Sequence, residues 1–327
     1  MKVPLVFMGT PEFAVPSLQR LVVDGYHISA VYTQPDRPAG RGRRLTPPPV
    51  KVAALGLGLA VRQPPNLRSQ EAVAELAALK PEVIVVCAFG QILRPPVLDI
   101  PPRGVINVHP SLLPRWRGAS PIPAAILAGD RETGVTIILM DAGMDSGPVL
   151  SQIPEAISDD DSTASLLARL AEAAAELVAE TLPRWLSGEI EPAPQNDSQA
   201  TTCPLLRKED GAIDWRLSAT DIWRRVRAYN PWPGAYTNLD GKLLHIWRAW
   251  PLDVESHADA GAVVELDPQW RAQMRTDTEA GAGFAVKTGG GILVPIEVQR
   301  SGRRTLSAQE FQRGMRGLIG RRFDSGE

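Results

Sequence analysis

Asn107, His109 and Ser111 stand at alternate positions where an apolar run gives way to "NVHPSLLPRWRG". Residues two apart share one face of an extended strand, so the sequence brings an amide, an imidazole and a hydroxyl together. Amide and imidazole groups can donate and accept hydrogen bonds at a ligand pocket. Asp145, in "MDAGMDSGP", adds a carboxylate in a second polar loop. Asp141 precedes it, and Gly143 and Gly147 bend the same loop. A histidine at a strand end is often structural, and Asp-Gly loops are usually turns. The conjunction counts against that reading without closing it: the chain has four histidines, and His109 ends a strand with an amide two residues before it.

Strands must deliver these groups. Lys2–Met8, His27–Thr33, Glu82–Phe89, Gly104–His109 and Gly134–Met140 are short apolar, β-rich runs, with helical segments such as Glu71–Lys80 among them. Such alternation predicts a mostly parallel, Rossmann-like α/β sheet covered on both faces. Ligands of open α/β sheets bind beyond the carboxyl ends of the strands, and both polar loops are expected there. The first strand-to-helix turn, "FMGTPEFA", carries Gly9 alone where a dinucleotide needs G-x-G-x-x-G. No nicotinamide is expected.

A chain of 327 residues suggests about two domains. Cys87 and Cys203 form neither a disulfide framework nor a zinc pattern, so a reducing compartment and no metal are expected. The short N-terminal apolar run matches no signal peptide, and no segment approaches the roughly 20 apolar residues that span a bilayer. A soluble, cytoplasmic protein is expected. The net charge of −2 conceals clusters: ten acidic residues against two arginines over 151–200, and seven arginines against Glu310 over 300–322. A third cluster, "DRPAGRGRRL", holds Arg37, Arg41, Arg43 and Arg44 where a compact fold normally uses a loop of about 2–6 residues. Arginine suits phosphate through its bidentate fork, so its length and single sign favour nucleic acid over a merely solvated face.

Thr163–Gly188 reads as one amphipathic helix, capped by Ser162 or Thr163 and ended by Gly188. The segment after it is proline-rich and without apolar period, as in an interdomain linker. Beyond it a helix stopped by prolines, "ATDIWRRVRAYNPWPGA", precedes short strands with glycine turns, a spacing that suits a small β-barrel or sandwich. The domains are therefore placed at 1–189, 190–205 (linker) and 206–327.

"NVHPSLLPRWRGASPI" followed by Asp145 resembles the 10-formyltetrahydrofolate-dependent formyltransferases. "GTPEFAVPSL", "TQPDRPAGRGRRL" and "IDWRLSATDIWRRVRAYNPWPGA" narrow the resemblance to the methionyl-tRNA formyltransferase family, over nearly the whole chain. The resemblance implies a formyltransferase domain with a second, OB-like β-barrel, and formyl transfer to methionine on initiator tRNA. Asn107, His109 and Asp145 would be catalytic, the first two as donors to the oxyanion and Asp145 as orienter of His109 or as proton relay. Phe89, Gly90, Gln91, Ile92, Leu93, Ser111, Leu112, Leu113 and Pro114 would hold 10-formyltetrahydrofolate as co-substrate. Arg37, Arg41, Arg43 and Arg44 would engage the tRNA acceptor end, with the 300–322 arginines extending that track. A monomer without metal is expected. Pro110 departs from the small residue that the family commonly carries and removes a backbone donor. Two other functions remain open: formyl transfer to a small amine such as a nucleotide-linked amino sugar, which needs no basic loop, and a non-catalytic RNA-binding module.

Overall fold

A computed structural model describes residues 3–39, 42, 44–254, 259–275 and 279–324. The chain divides into two compact units. The first comprises Met1–Pro121, Glu132–Ala156 and Leu166–Pro204, and the second Ile122–Arg131, Ile157–Ser165 and Leu205–Glu327.

In the first unit the near-continuous apolar runs form strands buried on both faces, as parallel strands require. These are β1 (Pro4–Gly9), β2 (His27–Tyr32), β6 (Val83–Cys87) and β7 (Val105–His109), with the short, partly exposed β5 (Val61–Arg62) at the sheet's edge. Between β2 and β5 the basic segment makes its own hairpin, β3 (Arg37–Ala39) with β4 (Arg44–Thr46). Alternate residues Val6, Met8, Ala30, Tyr32, Ile84 and Val86 share one face and pack with Leu76, Leu93 and Val97. The seven-stranded order is β10-β9-β7-β6-β1-β2-β5, where β9 is Glu132–Leu139 and β10 is Val149–Ala156. The chain winds outward from β1 to β2 and β5, then resumes on the other flank at β6. The carboxyl ends of β1 and β6 therefore border a switch point, where such sheets bind ligands.

One strand runs against expectation. Residues 134–140 lie mostly in β9, which pairs antiparallel with both β7 and β10. Leu139 sits opposite Ile106, at the entry of β7, rather than at its carboxyl end. An apolar buried run carries no mark of strand direction, so the sequence could not supply it. Asp145 reaches the site along the loop between β9 and β10 instead. Thr163–Ser187 forms the expected long helix, with Ser162 Oγ accepting from Ser165 N–H and Gly188 at φ +81° ending it.

The segment after this helix is paired, not free. Ala193 exchanges two backbone hydrogen bonds with Val149, and β11 (Thr202–Cys203) pairs with β8 (Arg117–Gly118). It belongs to the first unit.

In the second unit a helix, Ala219–Ala228, begins at the Ser218 cap. Sheet order is β12-β13-β16-β15-β14 with β17 on β16, all pairings antiparallel. These strands are β12 (Ala235–Leu239), β13 (Lys242–Leu252), β14 (Val263–Glu265), β15 (Phe284–Lys287), β16 (Ile292–Arg300) and β17 (Leu306–Ser307). The edges at β12 and β14 are bridged by the C-terminal segment, where Asp324 pairs with Asn238 and Arg322 with Ala262. The sheet curls into a half-barrel rather than a sandwich. The arginine-rich segment is packed into the core: Phe311, Leu318 and Phe323 are core residues, with Phe323 beside Trp215 and Phe284. In "AYNPWPGA", Tyr229 is buried, whereas Trp232 is 53% exposed.

Candidate active site

The extended backbone of β7 carries Asn107 and His109 to the carboxyl edge of the sheet. Asn107 Nδ2 donates to Asp145 Oδ1 at 3.3 Å. His109, 4% exposed, turns Nδ1 toward Asp145 Oδ2 at 3.7 Å and places Nε2 2.9 Å from the Trp116 carbonyl oxygen. A carbonyl only accepts, so Nε2 carries a proton and Nδ1 faces the carboxylate. Ring orientation thus comes from the Trp116 carbonyl; Asp145 stands just beyond hydrogen-bond range of Nδ1.

Asp145 is positioned by backbone. Its Oδ2 accepts from Gly118 N–H at 2.9 Å, and its own φ is +52°, a left-handed conformation rare outside glycine. Gly147 lets the loop pass close to β9, since a Cβ there would lie 1.8 Å from the Leu139 carbonyl oxygen. Asp141 stays exposed and closes the loop on itself, accepting from Gly143 N–H and Ser146 Oγ. Asn107, His109 and Asp145 therefore meet, and Asp141 stands apart.

Ser111 does not share the face of Asn107 and His109. The chain turns at Pro110, where Ser111 N–H donates back to the His109 carbonyl at 2.9 Å. Proline's fixed φ suits such a three-residue turn. Ser111 Oγ is fully buried and spends its proton on the Arg115 carbonyl at 2.6 Å. Alternation holds only within a strand, and this one ends at His109. The loop beyond rests on Thr136 of β9: its Oγ1 donates to the Ser111 carbonyl and accepts from Leu113 N–H. Gln152 adds hydrogen bonds to the Leu113 carbonyl and to Thr136 Oγ1. Leu113 is buried, while Leu112 and Pro114 are partly exposed.

Along 89–93, Phe89 and Leu93 are core side chains, Gly90 has φ +81°, and Ile92 is 79% exposed. Gln91 donates to the Pro64 carbonyl. The Phe89 carbonyl accepts from Thr10 Oγ1 at 2.8 Å and Gln34 Nε2 at 3.3 Å. What this loop offers a ligand is thus mainly backbone and the apolar faces of Gly90–Ile92. Arg37 donates to Gln34 Oε1 and Arg44 is exposed in β4; Arg41 and Arg43 lie outside the described residues. Lys51 pairs with Asp36, whose carboxyl is held below its ordinary range by hydrogen bonds from Gln63 and Lys51.

Sequence reasoning missed Thr10, Gln34, Thr136, Gln152, Gln195 and Thr201, the last taking Trp116 N–H at 2.9 Å. Each binds backbone groups of the site, a duty that leaves no spacing pattern. Among the described residues no group of three His, Cys, Asp or Glu side chains could hold a metal, and no helix is long and apolar enough to cross a membrane.

The family model described as "Formyl transferase" matches residues 1–182, and that described as "Formyl transferase, C-terminal domain" matches residues 205–316. Methionyl-tRNA formyltransferase of Chloroflexus aggregans is 48% identical over 311 residues, 95% of this chain and 97% of the relative. That of Methylococcus capsulatus is 46% identical, covering 94% and 95%. Among solved structures, an N-formyltransferase from Helicobacter canadensis, in complex with folinic acid and dTDP-3-aminofucose, superimposes with TM-score 0.63 at 16% identity. It covers 91% of this chain and 99% of that one. HypX from Aquifex aeolicus, in complex with tetrahydrofolic acid, gives 0.61 at 18%, over 98% of this chain and 49% of that one. At such identities the structures speak for the fold alone. With both of its parts matched and close to half of its residues shared with full-length relatives, the chain belongs to the methionyl-tRNA formyltransferase family.

Proposed function

We propose that this chain transfers the formyl group of 10-formyltetrahydrofolate to the α-amino group of methionine on initiator tRNA, with Asn107, His109 and Asp145 as catalytic residues. The observation that carries the reading is their convergence on one strand end, inside a chain 48% identical to a methionyl-tRNA formyltransferase. The amine needs little activation, since free α-amino groups titrate near ~8 and an adjacent ester lowers that further. Attack on the formyl carbon turns its carbonyl oxygen into an oxyanion and leaves an extra proton on the attacking nitrogen. Asn107 gives one amide hydrogen to Asp145, and its second is available to the oxyanion. His109 Nε2 is engaged at Trp116, so the ring works through Nδ1. That nitrogen and Asp145 receive the proton from the amine and deliver it to N10 as the carbon–nitrogen bond breaks. Because Trp116 already orients the ring, proton relay suits Asp145 better than orientation of His109.

The co-substrate fits the two loops at the sheet's carboxyl edge. Gly90–Ile92 and Leu112–Pro114 supply backbone and apolar surface, and the buried Phe89, Leu93, Ser111 and Leu113 fix their shape. Arg37, Arg41, Arg43 and Arg44 take the acceptor end of the tRNA, and residues 206–327 form the second, tRNA-facing domain. The protein works as a monomer in the cytoplasm, where protein synthesis starts. Asn107→Ala and His109→Ala supply the test. Asn107→Ala removes a preorganised donor worth about 10²–10³ in rate and His109→Ala a general base worth about 10²–10⁴, so formylation of charged initiator tRNA should collapse while circular dichroism stays native. Near-normal turnover in both folded variants would refute the assignment.

A further inference from the structure

Gln195 lies in the proline-rich segment after the long helix, where nothing in the sequence marks it for function. Its carboxamide is nevertheless fully engaged. Nε2 donates to the carbonyl oxygens of Asp145, at 2.8 Å, and Gly147, at 2.7 Å. Oε1 accepts from Arg117 Nε at 3.1 Å and Nη2 at 2.8 Å. Two carbonyls and one guanidinium allow a single orientation of the amide, because reversing it would set oxygen against oxygen. The contacts close a ring. Arg117 adjoins Gly118, whose N–H holds Asp145 Oδ2, and Gln195 returns from Arg117 to the Asp145 backbone. Arg117 is itself steadied by Asp197 Oδ1 at 2.7 Å.

The ring encloses a residue of the site held in a left-handed conformation. Asp145 holds φ +52°, a conformation that persists only when its surroundings over-determine it. Without the two donors from Gln195, the carbonyls of Asp145 and Gly147 could rotate toward ordinary backbone angles. That motion would carry the carboxylate away from Asn107, Gly118 and His109. We infer that Gln195 is a positioning residue for formyl transfer, a clamp that holds Asp145 in its working geometry from a segment outside both signature loops. This role rests on the catalytic reading of Asp145 and is tested together with it.

The experiment compares Gln195→Ala, Gln195→Glu, Asp145→Asn and the Gln195→Ala/Asp145→Asn double variant. It reads kcat, the KM values for 10-formyltetrahydrofolate and methionyl initiator tRNA, and thermal midpoints. A lost supporting hydrogen bond at a reacting group costs about ten- to a hundredfold. Gln195→Ala should lose that much in kcat with both KM values within about threefold of the parent. Gln195→Glu keeps the acceptor for Arg117 but turns a carboxylate on two carbonyls, so it should lose at least as much. Since the clamp acts through Asp145, the double variant should be no slower than Asp145→Asn alone. Unchanged kcat in a folded Gln195→Ala beside an inactive Asp145→Asn would overturn the clamp and leave the site intact. An active Asp145→Asn would instead overturn the reading of Asp145 itself. Additive losses in the double variant, or failure of both Gln195 variants to fold, would make Gln195 a residue of the fold rather than of the reaction.

Discussion

His109 has its Nε2 spent on a backbone carbonyl and its Nδ1 turned to a carboxylate. The same economy runs through its neighbours, where nearly every supporting polar group binds main chain. Thr136 is the clearest case: fully buried, it serves the Ser111 carbonyl, Leu113 N–H and Gln152 at once. Thr136→Val keeps the shape and strands those partners. Leaving a buried partner unpaired costs about 1–3 kcal/mol, so urea denaturation should show a loss of that order. The KM for 10-formyltetrahydrofolate should rise as the Ser111–Pro114 loop loosens; an unchanged KM would remove that loop from the folate site. Asn107, His109 and Asp145 were legible in the sequence because their types carry chemistry and strand alternation groups two of them. Thr136, Gln152 and Gln195 were not, because a side chain that binds a distant carbonyl leaves no trace in local spacing. Ser111 misled for a third reason: Pro110 ends the alternation one residue earlier.

Strands and loops were legible in proportion to how local their causes are. Near-continuous apolar runs identified β1, β2, β6 and β7, and Gly188 marked the end of the long helix. The direction of β9 and the pairing of 190–205 depend on contacts far along the chain, so they were not. The bridging of the curled sheet's edges is another long-range event. Phe323 is buried between the bridged edges, and Phe323→Ala should cost about 3–5 kcal/mol by calorimetry or denaturant. A value near zero would mean the barrel does not depend on its C-terminal segment. Strand β13 adds a pH dependence. His245 lies flat on Trp247, its buried Nδ1 has no hydrogen-bond partner among the described residues, and burial lowers its pKa. The unfolded chain then binds this proton more readily, with a pKa near ~6.5. The stability concerned is present above that value and is lost as pH falls toward the lower folded pKa. Urea midpoints taken from pH 7.5 down to 5, on the order of the histidine range, should fall less in His245→Phe than in the parent. Equal slopes would exclude His245 as the source.

At the scale of the molecule, the net charge of −2 says little, whereas its clusters say more. Part of the arginine excess is structural: Arg321 pairs with Asp240, and Arg300 lies over Phe311. Arg44 is exposed, and Arg37 donates to Gln34 in a partly exposed contact. Replacing Arg37 and Arg44 by alanine should weaken tRNA binding and lower the salt slope by about 0.7–0.9 per lost phosphate contact. An unchanged slope would return them to ordinary surface. The account as a whole turns on the acceptor, since a nucleotide-linked amino sugar could use the same three groups proposed as catalytic. The most direct measurement is formyl transfer from 10-formyltetrahydrofolate to methionyl initiator tRNA, with methionyl elongator tRNA and a nucleotide-linked amino sugar in parallel. The account predicts rapid transfer to the initiator tRNA and little to the other two. Transfer to the amino sugar at a rate equal to or above that on the initiator tRNA would contradict it.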